Sequence, residues 1–297
     1  MQHKINLREE RDFGQKINAV FTFLQQNFKP LFKSVLFIVG PVALIAGISM
    51  GLYQSHVMEM AFDAGVNTVE YKSTNLFSTI LTPSYFIAIF SMIVAFNLVY
   101  VVVYSYLKEY LEDNSNEITV DQVWKNVREK FIRSFFSLLG MMIIAYLACL
   151  IFIGFYWVLA FQFTLILVMI ENTKFSDLMT RCLFLIRSKW WSTFGLLAVI
   201  MIIQGLMGIV FNIPTYIITF ANAFHVVSEN KEFTNQWGLI LSTMFSTVGT
   251  LLLYSVSALA LAFQYFNLVE RKEGVGLLQE VDQIGKPNTP EDDEGDF

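Results

Sequence analysis

Three amides stand where amides are costly. Ala95-Phe96-Asn97, Ala160-Phe161-Gln162 and Ala262-Phe263-Gln264 each set one carboxamide inside a long apolar run. A carboxamide in hydrocarbon must face protein or water. Asn97, Gln162 and Gln264 therefore have two readings: interhelical hydrogen bonds that hold a bundle, which is their commoner use, or the polar lining of a cavity for a lipid or small amphiphile. Asn212, Gln204 and Asn267 are similar in kind but do not repeat the tripeptide.

Two histidines suggest metal chemistry. His56 is followed by Glu59 and Asp63, and His225 by Glu229. Spacings of three, four and seven put a carboxylate on the histidine's helical face, and such donors ligate zinc or another divalent cation. With three histidines in the chain and no dense ligand motif, solvated interfacial residues are the reading adopted. No cofactor is expected, and a metal at His56 and His225 is the alternative. A third set is basic: Arg133, Arg187 and Lys189, with Trp190 beside them and Arg128, Lys130 and Arg181 nearby. It suits anionic lipid headgroups, although basic residues and tryptophans also decorate membrane boundaries for topological reasons.

The elements that position these groups follow from composition. Of 297 residues, 55% are hydrophobic and only 15% charged, against about 25% charged in ordinary soluble domains. Mean hydropathy is +0.53. A disordered chain, a small disulfide scaffold and a water-soluble globule are all excluded; a polytopic membrane protein is left. Residues 34–58, 73–107, 134–170, 190–228 and 233–269 carry no Asp, Glu, Lys or Arg, and a crossing needs about 20 apolar residues. If 134–170 crosses twice, turning near Gly154, all Lys and Arg except Lys72 and Lys231 fall on one side, as the positive-inside rule favours. The expected architecture is all-α, with six transmembrane helices and both termini cytoplasmic. The third and fourth spans are short. No signal-peptide pattern precedes the first apolar run, which is expected to remain as a span. Cys149 and Cys182 read as two buried thiols.

Three segments share an apolar spacing of 0, +3, +4, +7 and +11: Ile17 to Phe28, Val120 to Phe131, and Phe175 to Ile186. Each stripe fits one face of a helix, and each runs through basic residues into a span. These predict three interfacial amphipathic helices lying apolar face down. Thr119 with Gln122 fits a capping box for the second. Stripe, basic exit and amide recur in order, so the chain reads as a threefold internal repeat with units 13–107, 119–171 and 174–270 in one domain, 1–285. Leu277, Leu278, Val281 and Ile284 suggest a further short amphipathic helix. Residues 286–297 read as a disordered acidic cytoplasmic tail.

Several absences bound the function. No carboxylate or basic Lys or Arg residue lies inside a span, where ion pumps usually need one. No Walker-type loop, HExxH motif or nucleophile elbow occurs. Gly205 and Gly208 lie close but lack GxxxG spacing, so no strong small-residue dimer motif is read.

Residues 171–191 (Glu-Asn-Thr-Lys-Phe-Ser-Asp-Leu-Met-Thr-Arg-Cys-Leu-Phe-Leu-Ile-Arg-Ser-Lys-Trp-Trp) resemble six-span bacterial membrane domains related to the membrane part of glycerophosphodiester phosphodiesterases. The shared theme is a span ending in an acidic residue, a helix, then a basic–aromatic exit. Residues 263–274 are similar to the end of inner-membrane relatives of that group. The resemblance covers roughly residues 13–285. It implies a six-helix inner-membrane bundle and no activity, because the phosphodiesterase chemistry belongs to a separate soluble barrel. The expected function is a non-catalytic scaffold or accessory subunit contacting membrane lipids and, through the C-terminal segment, partner proteins, with no nucleic acid involved. The alternatives are a lipid or small-amphiphile transporter using Asn97, Gln162 and Gln264, and a membrane enzyme with the His56/His225 metal.

Overall fold

The computed structural model describes residues 4–66, 82–112, 118–150, 154–227 and 236–284. Among these there is no β-strand, and six segments are long and apolar enough to cross a membrane. The helices are α1 (Phe13–Val66), α2 (Pro83–Glu112), α3 (Val120–Cys149), α4 (Gly154–Phe161), α5 (Phe175–Ile186), α6 (Trp190–Val227), α7 (Gln236–Glu273) and α8 (Val275–Ile284). Between α4 and α5 the chain breaks at Gln162 and Phe163. It resumes as one α-turn (Thr164–Ile166) and ends in a π-helical turn (Leu167–Glu171), completing a candidate span over Gly154–Glu171.

The charge segregation read from the sequence becomes a geometric fact at one end of the bundle. There the Arg11 amide donates to Asn267 Oδ1 at 2.8 Å, Lys16 reaches Ser192 at 3.2 Å, and Arg133 reaches the Asn172 carbonyl at 2.7 Å. Arg181 pairs with Glu171 and Glu273. Lys272 donates to the carbonyls of Phe184 and Arg187. Basic segments far apart in sequence thus meet, as an even number of crossings requires.

The core lies toward that basic end. Residues 97–107 of α2, 163–169 of the fourth span and 256–268 of α7 are buried on every face. A helix apolar all round has to be surrounded. Here α2 packs against both α7 and the fourth span, and α1, α3 and α5 close around them. The shared +3 position is fully buried in each stripe: Val20, Val123 and Leu178.

Two of the predicted interfacial helices differ from expectation. The first stripe does not lie apart in the membrane plane; it is the start of α1. That 54-residue helix is about 81 Å long and runs unbroken through Pro30 and Pro41. It stands antiparallel to α7, with Lys16 at Gln264, Phe23 at Phe263, Gly47 at Met244 and Gly51 at Ile240. The second stripe likewise continues into its span within α3. Its capping box is present: Thr119 Oγ1 accepts from the Gln122 amide, and Gln122 Oε1 accepts from the Thr119 amide. Only the third stripe forms a separate helix, α5, because Ser188 adopts a left-handed conformation (φ 71°) and breaks the chain before α6. The physical reason for the upright first stripe is that its buried side covers the all-buried part of α7, which offers more apolar contact than an interface.

The packing of α1 on α7 uses a motif the sequence reading overlooked. Gly47-Ile48-Ser49-Met50-Gly51 has GxxxG spacing. A Cβ on Gly47 would fall 2.8 Å from Met244 Cα, and one on Gly51 would fall 2.9 Å from Ile240 Cα. Backbone cannot yield at that distance, so these glycines let two helices touch. Gly47→Leu and Gly51→Leu are each expected to cost about 1–3 kcal/mol by overpacking. Thermal unfolding in mild detergent measures this as a lowered midpoint for both variants. Gly205→Ala, where an added Cβ meets nothing within 4 Å, should leave the midpoint unchanged or raised.

Candidate functional site

The three amides do not share one cavity. Asn97 is fully buried; its Nδ2 donates to Ser134 Oγ at 3.3 Å, and its Oδ1 has no partner. Gln264 is fully buried and doubly used: Oε1 accepts from Lys16 Nζ at 2.8 Å, and Nε2 donates to Thr193 Oγ1 at 2.9 Å. Both join helices, which is the ordinary use of an intramembrane amide. Gln162 is different. It sits at the break in the fourth span, is only half-buried, and makes no side-chain hydrogen bond among the described residues. Lying at the irregular turn, it escapes the packed face that its counterparts occupy.

Gln162 lines two cavities. The larger, about 640 Å³, is a groove walled by α2, α4, α6 and α7. Helix α6 supplies one of its faces from Trp190 to Tyr216 in steps of three and four. That length is about 39 Å, comparable with a hydrocarbon core of about 30 Å. The smaller, about 370 Å³, follows α3 from Leu138 to Cys149 on the other side of the fourth span. Phe96, Tyr100, Val158 and Gln162 belong to both. No charged side chain lines either cavity.

Small residues open the larger groove. Gly205 faces empty space, and Gly208 is 4.0 Å from Leu253 when a Cβ is added. The groove's other amides already make hydrogen bonds within the protein. Gln204 accepts from Ser257 Oγ at 2.7 Å and donates to the Leu253 carbonyl at 2.5 Å; Asn212 donates to the Gly208 carbonyl at 2.8 Å. At the basic end Trp190 stacks on Phe194, with rings 5.4 Å apart and 4° from parallel. Phe155 of α4 leans over the pair, its ring 5.4 Å from Trp190.

The headgroup candidates divide. Both acceptors of Arg133, the carbonyls of Asn172 at 2.7 Å and Thr173 at 2.5 Å, belong to the turn after the π-helix. Arg133 thus ties off a helix end, where carbonyls lack amide partners. Arg187 is exposed, Lys189 is half-exposed, and Trp190 Nε1 is buried without a partner. The metal proposal gains no support. His56 is half-buried and Glu59 exposed. The side chains of Asp63 and His225, and all of Glu229, lie outside the described residues, as does the tail 286–297. Among the described residues no group of three His, Cys, Asp or Glu gathers as metal ligands. Cys182 is buried, as expected, and burial pushes its thiol up to about 12. Cys149, by contrast, is exposed and lines the smaller cavity. It ends α3, beyond the reach of the core.

A charge cluster escaped the sequence reading. Arg181 Nη2 and Nε meet Glu171 at 2.7 and 2.9 Å, and the same guanidinium binds Glu273. Tyr265 donates to Glu171 Oε1 at 2.8 Å. These bonds raise the Arg181 pKa above its ordinary value, chiefly through Glu273 and Glu171. The cluster ties α5 to the π-helical turn and to the end of α7. Lys16, by contrast, is buried against neutral oxygens and forms no ion pair among the described residues.

Comparison with protein-family models, curated proteins and solved structures finds no match for the chain.

Arg181→Met is expected to leave Glu171 and Glu273 close together without their cation. At neutral pH the loss should be about 1–3 kcal/mol, less than for a fully buried pair because the guanidinium is 23% exposed. Arg181 holds the Glu273 carboxyl below its ordinary value through their hydrogen bond, so the stability that this pair contributes is lost as pH falls through that lowered value, and the gap between variant and wild type should narrow on acidification. Thermal melts across pH check both the loss and its sign.

Proposed function

We propose that this chain is a non-catalytic integral membrane protein that takes a lipid or small amphiphile from the bilayer into the groove around Gln162. The observation carrying this reading is the unpartnered Gln162 amide at the junction of two charge-free cavities. An amide that finds no protein partner in an apolar setting costs on the order of 1–3 kcal/mol. A groove about as long as the hydrocarbon core, with an apolar wall and a waiting hydrogen-bonding group, suits a ligand of the same make-up. The groove's residues carry no nucleophile–base pair, so binding or passage is proposed rather than catalysis. A bacterial inner-membrane location with cytoplasmic termini is part of the proposal, supported by the gathering of basic residues at one end of the bundle. So is membership of the six-span group that residues 171–191 resemble.

The scaffold reading keeps one observation in its favour. Glu270 accepts from the amides of Gly276 and Leu277 at 2.7 and 3.1 Å and so fixes the start of α8. Leu277, Leu278 and Val281 project from that helix, exposed.

Gly205→Leu tests the groove directly. It puts a side chain into open space and should add about 0.5–1 kcal/mol of helix propensity. Lipid extracted from protein purified in mild detergent, quantified by mass spectrometry per mole of chain, should fall several-fold while the unfolding midpoint holds or rises. Equal lipid content in variant and wild type would remove the groove from the functional account.

A further inference from the structure

The two cavities differ in direction but share their polar point. One arm follows α6 and the other follows α3, on opposite sides of the fourth span, and Gln162, Tyr100, Phe96 and Val158 line both. The shorter arm, from Leu138 to Cys149, is about 17 Å long. A single hydrocarbon chain would fill one arm and leave the other without contacts. A ligand with two chains diverging from one polar centre matches the fork.

Charge sets the second limit. A phosphate in either arm would meet no cation, and an unpaired ion is costly to desolvate. Of the basic groups at that end of the bundle, Lys16 is engaged with Gln264, Arg133 with Asn172 and Arg181 with Glu171, while Arg187 and Lys189 stand beside Trp190 at one end of the α6 arm and line neither cavity. The polar centre therefore has to be neutral. It also has to answer an amide, which presents two N–H donors and one carbonyl acceptor. A hydroxyl beside ester carbonyls supplies both complements. Among the four residues that line both arms, Gln162 carries the one amide, and it makes no side-chain hydrogen bond among the described residues.

Resting on the groove reading above, we propose that the occupant is an uncharged two-chain glycerolipid of the diacylglycerol class. Its glycerol hydroxyl and ester carbonyls meet Gln162, and one acyl chain enters each arm.

The full chain in mild detergent, probed by native mass spectrometry, tests this with dioleoylglycerol, dioleoylphosphatidylglycerol and monooleoylglycerol. One dioleoylglycerol should be retained per chain, at least about tenfold over either competitor. Gln162→Leu should lower that retention by a similar factor. Cys149 supplies a second readout, because it lines the short arm and Cys182 is buried. Dioleoylglycerol should slow alkylation of Cys149 by N-ethylmaleimide several-fold in the wild type and not in Gln162→Leu. Ala145→Phe narrows the short arm without touching Gln162 and keeps the test open if the first variant misfolds; it should shift preference toward monooleoylglycerol. Equal retention of the phosphatidylglycerol overturns the neutral class, and equal retention of monooleoylglycerol by the wild type overturns the two-armed fit. If none of the three is held while cellular lipid still co-purifies in a Gly205-dependent way, the diacylglycerol class is wrong and the groove stands. If no lipid co-purifies at all, both fail.

Discussion

A polar group surrounded by hydrocarbon has to find its partner inside the protein, and that requirement organises this bundle. Gln264 is the clearest instance. Its carbonyl takes Lys16 from α1 and its amide holds Thr193 of α6, so one side chain fixes the meeting of three helices. Asn97 does the same between α2 and α3 through Ser134. Glu171 and Glu273 share Arg181, and Glu171 also takes the Tyr265 hydroxyl. Each of these contacts sits in or beside the segments buried on every face, where water cannot stand in for a partner. The polar residues therefore specify which helices meet, and the apolar ones supply the contact area.

The same requirement isolates Gln162. Its neighbours in the tripeptide, Ala160 and Phe161, are buried, as are Ala95, Ala262 and Phe263, while Phe96 is partly buried. The amide itself follows the break before Phe163, where the Phe163 amide bonds back only to the Ala160 carbonyl at 3.2 Å. That turn aims the side chain between α3 and α6 instead of into the core. A bundle that satisfies Gln264 twice and leaves Gln162 bare offers an outside molecule a place to complete its hydrogen bonding.

Much of the architecture was legible because charge and apolarity are strong signals in a bilayer. Runs without ionisable residues mark the spans. The distribution of Lys and Arg implied an even number of crossings, and the meeting of Arg11, Lys16, Arg133 and Arg181 at one end agrees with it. The Thr119–Gln122 capping box was readable because it is local. What escaped was set by tertiary choice. A stripe of apolar residues looks the same whether it faces lipid or a neighbouring helix, so the upright stand of the first stripe on α7 was invisible. Gly47 and Gly51 carried the right spacing and could have been found by scanning every glycine pair. Arg181, Glu171 and Glu273 are too far apart in sequence for any periodicity to join them. The repeat of the amide tripeptide suggested equal roles for three residues, and local backbone gave one of them a different role.

The groove exists because α6 is held on one side only. It packs on α7 and meets α1 and α4 sparingly, and just 11% of its most apolar window is buried. On a fully packed helix Gly205 and Gly208 would be filled by a neighbour's side chains; here they face a gap that lipid tails can reach. A more complete bundle would bury α6 on a second side and lose the cavity. Leaving that side open forfeits apolar contact within the protein, but lipid tails replace it at little cost because they are as apolar as leucine. In water such a groove would collapse or draw in another surface. In a bilayer it stays solvated by hydrocarbon, and what distinguishes it from the surrounding lipid is its few polar groups, among them the unpartnered amide of Gln162.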